Sequence, residues 1–595
     1  MNNSRARLIR RSTILAMILF TLAVYSYPAL ETWAKTGSTN APPILAPDTG
    51  FYIFVSKMTA LHSDAALNPY YGIEVPLNAT PHLRFPLAFR LFGYLNSLLG
   101  GRLWLALFTW NLLWWGLLCG IAVWLFEDFL PDKSFLLVAA GLGLLMWLNF
   151  GLLKPQVLAW VHFPSLSGFG NIGLPYARPF FPQLPIPFLL AYLGLQMSAL
   201  RTQRVRVWVW MGLLQFLAFA IFPYTTLMMA GITLVATIWL IAARLQSVPW
   251  RNLIAYGTLC AAVDLAYLRL VPVTRDYQSQ PSPFHIEPSV LPHLVGGMWF
   301  IIAFLTLAIA LVRGLPAEVK WPLVGLGLAN MGLMVGDVFF SETALMISHH
   351  AGYFVHPTVA VLLAFLLSAA CLHLRATTRS ARLALGVVVI LLAVNAMLLA
   401  KATYRDFLPI NEQQVETVRL LRSIPVMPND LLIVHARISD DACEWAPLAS
   451  GAKVLYCRDA SALLDPNQNH TIQRFRQALY LFFTGMDSRQ MQGIADDPRA
   501  FDQQMRLAYF GGIVPFRKEE REEGLRTLRT ELIPLLDAAD RHDPSMLAFL
   551  RQYSRILVVD NLHDPVFDRA RLASYLDLQK ELPRGDLTVL FCDPK

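Results

Sequence analysis

The sequence predicts an α-helical polytopic membrane protein of about eleven transmembrane helices followed by a soluble α/β domain. Three observations predict it. The chain of 595 residues is 55% apolar and only 15% charged, whereas a soluble domain has about a quarter of its residues charged. Apolar stretches long enough to cross a bilayer recur through the first two thirds. The acids are also unevenly placed: residues 1–401 hold 13 Asp and Glu against 25 Lys and Arg, and residues 402–595 hold 28 against 24. Two solvents are implied, with a border near Lys401, which divides the chain into a membrane domain (1–401) and an exported domain (402–595).

A helix needs roughly 20 mostly apolar residues to cross about 30 Å of hydrocarbon. Such stretches fall near 12–30, 102–126, 134–153, 179–200, 207–224, 225–243, 252–271, 291–312, 320–340, 354–374 and 383–400. The first follows Arg5, Arg7, Arg10 and Arg11, as a signal peptide also does. No small-residue cleavage site follows it cleanly, so it reads as an uncleaved span.

Arginine placement orients these spans. With a cytoplasmic N-terminus, the connections on the cytoplasmic side carry Lys133; Arg201, Arg204 and Arg206; Arg244 and Arg251; Arg313 and Lys320; and Arg375, Arg379 and Arg382. The short loops opposite carry Lys154, Arg178 and Arg275. This is the positive-inside pattern repeated loop after loop. It predicts a bacterial inner-membrane protein whose C-terminal domain is periplasmic. The net charge of +8 belongs to the membrane half. It therefore reads as a topology signal, and no nucleic-acid partner is expected.

The outer loops are chemically richer. They comprise a long first loop (31–101), a Pro-rich loop from Lys154 to Arg178, a third from Val273 to Pro288, and DVFFSETALMISHHAGYFVHP from Asp337. The cytoplasmic connections are short and basic, and no phosphate-binding G-x-x-x-x-G-K loop occurs. Any active site is expected outside the cytoplasm.

After Lys401, β-rich runs LLIVHA (431–436), AKVLYC (452–457), RILVVD (555–560) and LTVLFC (587–592) alternate with helical stretches near 411–423, 468–484, 498–508, 517–539, 545–553 and 568–580. A parallel-leaning sheet with flanking helices is expected. The charge cluster RKEEREEG reads as a solvated helix face. Cys443 and Cys457 stand fourteen residues apart. An oxidising periplasm allows a disulfide between them, although spacing alone does not bring their Cα atoms to bridging distance.

The membrane half resembles the GT-C superfamily, the integral membrane glycosyltransferases that use polyprenyl-phosphate sugars. The likeness starts at APDTGFYIFVSKM, an acid followed by aromatics in the first outer loop. It continues through LPYARPFFPQLPIPFLLAYL and the FPYTT hairpin, and ends in an exported C-terminal domain. It implies transfer of a sugar from a polyprenyl-phosphate-linked donor to a lipid, glycan or protein acceptor, with membrane lipids as surroundings. Many members carry an Asp-Glu or Asp-Asp pair in the first loop. Here Asp48 is flanked by Pro47 and Thr49, so a divalent metal (Mg or Mn) stays open.

Such transfer needs a base for the acceptor hydroxyl and positive groups for the leaving phosphate. Asp48 is the candidate base; it also suits a helix N-cap. Arg178, where an outer loop re-enters the membrane, is placed to grip a phosphate at two points, or to snorkel to the interface. Lys154 and Arg84 are weaker versions of the same idea, and Glu74 is a further substrate-binding candidate. His349 and His350 resemble the outer-loop histidines of some GT-C enzymes; the plain alternative is interfacial hydrogen bonding. Trp104, Trp110, Trp114 and Trp115 read first as a membrane-interface belt. The competing functional reading is a non-catalytic assembly or transport component of envelope polysaccharide biosynthesis, with a glycan- or partner-binding exported domain.

Overall fold

The structure, a computed structural model, describes residues 3–38, 43, 45, 53, 56, 65–68, 73–76, 87–132, 134–149, 174–180, 183–244, 249–270, 291–336, 347–373, 379–427, 429–434, 453–456, 466–501 and 518–595. A helix lies on each of the apolar stretches: α1 (Asn3–Thr36), α3 (Leu103–Phe129), α4 (Phe135–Met146), α5 (Pro185–Thr202), α6 (Val205–Ile221), α7 (Pro223–Arg244), α8 (Trp250–Leu270), α9 (Leu291–Leu311), α10 (Ala317–Met334), α11 (Ile347–His373) and α12 (Arg379–Ser423). Among the described residues, α1, α3, α7, α11 and α12 are long and apolar enough to cross a membrane. The segment between α1 and α3 holds two further features, a hairpin of β1 (Ala65–Asn68) and β2 (Ile73–Pro76) and a short helix α2 (Leu87–Leu98).

Polar and ring contacts join the helices at both ends of the bundle. At one end of the bundle Arg10 pairs with Glu127 at 2.9 Å, the Arg201 guanidinium lies 4.9 Å from the Phe129 ring centroid, and the Asp132 N–H donates to Ser368 Oγ. At the other end Lys35 pairs with Glu412 at 2.8 Å, and the Leu174 N–H donates to Thr403 Oγ1.

Helices α7 and α10 cross at close range. A Cβ built on Gly231 would come 2.6 Å from Ala329 Cβ, and one on Gly325 would come 2.8 Å from Ile232 Cα. Small residues let backbones meet where no hydrophobic effect drives helices together. Gly325→Val is therefore expected to destabilise the bundle by about 1–3 kcal/mol. Gly332→Val, where a Cβ meets nothing within 4 Å, should not. Thermal unfolding of the two purified variants checks this, and equal melting would refute the close-packing account.

The composition border at Lys401 falls inside α12, where a span over 383–400 and a separate helix over 411–423 were expected. The 45 residues of α12 form one helix. At 1.5 Å per residue it is about 67 Å long, roughly twice the hydrocarbon thickness. Its last turns are a layer of the C-terminal sheet. Leu420, Leu421 and Ile424 pack on Leu432, Val434, Leu557, Val559, Leu587 and Val589.

That sheet contains β3 (Asp430–Val434), β4 (Lys453–Val454), β5 (Arg555–Asn561), β6 (Leu576–Arg584) and β7 (Leu587–Pro594), in the order β4-β3-β5-β7-β6. Strands β4, β3 and β5 are parallel and β7 and β6 run antiparallel, so the sheet is mixed where a parallel-leaning one was expected. Its other face carries Leu431, Ile433, Ile556 and Val558. These pack beneath α13 (Pro466–Phe483), α14 (Ser488–Asp496) and the run α15 (Lys518–Thr527), π-turn Leu528–Leu532 and α16 (Ile533–Asp540), with α17 (Pro544–Leu550) and α18 (Arg569–Tyr575). Burial on both faces explains why LLIV and ILVV are unbroken apolar runs.

The helix expected over 568–580 stops at Tyr575, and residues 576–584 form edge strand β6. Pairing with β7 outweighs the local helical preference of LQKEL. Asp577, Lys580, Glu581 and Pro583 are residues suited to an edge.

Candidate functional site

Three segments singled out in the sequence meet at the end of the bundle where α1 leaves it. The first is the loop Leu174–Phe180, which dips between helices. Its turn closes with the Ala177 N–H donating to Leu174 O. The Tyr176 carbonyl accepts from Trp115 Nε1 at 2.9 Å, deep in α3. Phe180, fully buried, has φ +66°, a conformation that costs a non-glycine residue on the order of 1–3 kcal/mol. Its ring is held by Phe89 and Phe92 of α2 and Trp110 of α3, with centroids 5.2–5.4 Å apart. The aromatic contacts offset the strain and fix the loop two residues after Arg178. Trp110 is thus a structural anchor of this loop.

Arg178, half-buried, donates from Nη1 to the Tyr353 hydroxyl at 3.0 Å, and its guanidinium carbon lies 5.5 Å from the Tyr353 ring centroid. That is within cation–π range. Tyr353 belongs to α11, the second segment. His349 and His350 lie in the first turn of this helix, four and three residues before Tyr353 and so one turn away. The third segment is the FPYTT hairpin, whose Phe222 ring stands 6.0 Å from Tyr353 and 6.3 Å from Phe354.

One turn further along α11, His356 lies beside Tyr176, ring centroids 5.7 Å apart, with Nε2 2.8 Å from the Leu145 carbonyl. A carbonyl only accepts, so Nε2 carries the proton and donates. His356 therefore ties α11 to α4. Tyr25 of α1 completes this layer, donating to Met146 O and packing on Trp115.

The structure places Arg178 against Tyr353 of α11, the helix whose first turn contains His349 and His350. Glu74 lies in β2, opposite Leu67 in the hairpin. Asp48, Arg84, Lys154, Cys443 and Cys457 lie outside the described residues. Among the described residues, Cys119, Cys371 and Cys592 are free thiols, and no group of three or more His, Cys, Asp and Glu is placed to hold a metal ion.

Tyr353 is the residue that sequence reading passed over. The signal was the spacing: Tyr353 stands three residues after His350 and three before His356, about one helical turn from each.

No family model matches the sequence, and no curated protein matches it. The chain is similar to the crystal structure of the Archaeoglobus fulgidus oligosaccharyltransferase in its apo form, with a TM-score of 0.43 and 12% identity over 81% of this chain and 68% of that one. It is also similar to the archaeal oligosaccharyltransferase AglB from Archaeoglobus fulgidus in complex with an inhibitory peptide and a dolichol-phosphate. There the TM-score is 0.31 and the identity 11%, over 82% of this chain and 68% of that one. At these values neither likeness carries weight for the chemistry of this chain.

Proposed function

We propose that this protein is a membrane glycosyltransferase of the GT-C kind. It moves a sugar from a polyprenyl-phosphate donor to a lipid, glycan or protein acceptor on the outer face of a bacterial inner membrane. The observation that carries this reading is Arg178. A half-buried guanidinium is held by Tyr353 one turn from His349 and His350, beside the aromatic layer, at the end of the bundle that the arginine pattern places outside.

In this reading Asp48 takes the proton of the acceptor hydroxyl as its oxygen bonds to the sugar's anomeric carbon. The bond from that carbon to the phosphate oxygen breaks, and the electron pair leaves with the polyprenyl phosphate. Arg178 stabilises the charge developing there, and low dielectric around a half-buried group makes such a contact stronger than in water.

The test is mass spectrometry of polyprenyl-linked and envelope glycans from cells with the intact protein, without it, and with Arg178→Ala. Loss of the protein is expected to remove one sugar from the envelope glycans and to accumulate its polyprenyl-linked donor. Arg178→Ala should slow transfer by about 10- to 100-fold, the size of a lost charge-assisted hydrogen bond. Unchanged glycans in the deletion would overturn the proposal.

A further inference from the structure

We infer that Tyr353 is the positioning residue for Arg178, orienting the guanidinium for a prenyl-linked phosphate. This rests on the transferase reading. The Tyr353 hydroxyl accepts the Arg178 Nη1–H at 3.0 Å. Its ring is braced by Phe222 of the FPYTT hairpin, 6.0 Å away at 41°, and Phe222 is itself packed on Tyr224 and Phe354. Tyr353 is thus the point where the LPYARP loop, the FPYTT hairpin and α11 meet.

The backbone around Arg178 is fixed independently, by the Trp115 bond to Tyr176 O and by the aromatic nest around Phe180. What the backbone does not fix is the long side chain, which carries several rotatable bonds. An arginine whose guanidinium is bonded in place loses much of that freedom before ligand arrives, so less entropy is lost when the planar fork meets a phosphate. A phenol is suited to this task because it accepts a hydrogen bond without neutralising the charge, as a carboxylate would.

The experiment measures binding of farnesyl phosphate and of farnesol to the full-length protein in lipid nanodiscs. Tyr353→Phe keeps the ring and its contact with Phe222 but removes the hydroxyl. It is expected to weaken farnesyl phosphate binding about tenfold and to leave farnesol binding and thermal unfolding as in the wild type. A merely structural role for Tyr353 would move farnesol binding and unfolding together with the phosphate.

Arg178→Lys supplies the second arm, because a lysine lacks the oriented fork. In that background Tyr353→Phe is expected to have no further effect on farnesyl phosphate. Tyr353→Phe binding farnesyl phosphate as tightly as wild type, while Arg178→Ala loses it, would overturn the positioning role alone. Arg178→Ala binding like wild type would overturn the phosphate reading beneath it as well.

Discussion

Asp48→Asn is expected to lower sugar transfer by about 10²- to 10⁴-fold, the usual contribution of a general base, in protein that still inserts and melts as the wild type does. Asn keeps the size of the side chain and its ability to cap a helix, so the substitution separates the two uses that APDTGFYIFVSKM allows. If Asp48 only starts a helix, the amide serves equally well and transfer is unchanged. If it takes a proton, the amide cannot. The measurement is the rate of appearance of glycosylated acceptor in membranes carrying equal amounts of the two proteins, and equal rates would remove Asp48 from the chemistry. A cysteine introduced beside residue 48 provides the companion test of side. Labelling by a membrane-impermeant reagent added outside is expected, and protection from it would place the first loop on the wrong face for this reaction.

Arg555→Ala is expected to destabilise the C-terminal sheet by about 3–5 kcal/mol. Asp430 and Arg555 open neighbouring parallel strands and face each other in register. The Asp430 side chain is fully buried, and its Oδ2 accepts from Arg555 Nη2 at 2.5 Å and from the Met427 N–H at 2.8 Å. Arg555 Nη2 also donates to the Pro425 carbonyl, where α12 turns into β3, and its guanidinium lies 5.5 Å from the Phe591 ring centroid. Removing the arginine leaves a carboxylate without its counter-charge in the core of a sheet. That penalty is a large part of the 5–15 kcal/mol by which a domain is typically stable.

Proteolysis of the purified full-length protein reads the outcome. The cleavable fraction within residues 430–595 should rise by at least about a hundredfold, with Arg555→Lys intermediate because the charge stays and one bond is lost. Cleavage no faster than in the wild type would show that the pair contributes little.

The membrane half was legible because the bilayer is a severe solvent. A span must present about 20 apolar residues and bond its own backbone, so the apolar stretches mark where helices lie, and among the described residues α1, α3, α7, α11 and α12 have the length and apolarity of spans. The strands β3, β5 and β7 were legible as apolar runs for the same reason, burial on both faces.

Other features depend on partners distant in the chain. Residues 576–580 read as helix until β7 supplies their hydrogen bonds. Nothing in residues 400–411 taken locally shows that α12 continues through them into the sheet. The positive φ of Phe180 is tolerated only because Phe89, Phe92 and Trp110 surround it.

Arg178 was visible as a basic residue at a loop's return to the membrane, and the histidines as a cluster. That the arginine is held by Tyr353, 175 residues away, was decided by tertiary packing. Hydrophobic periodicity records which face of a segment is buried. It contains no term for the side chain that another segment brings against it.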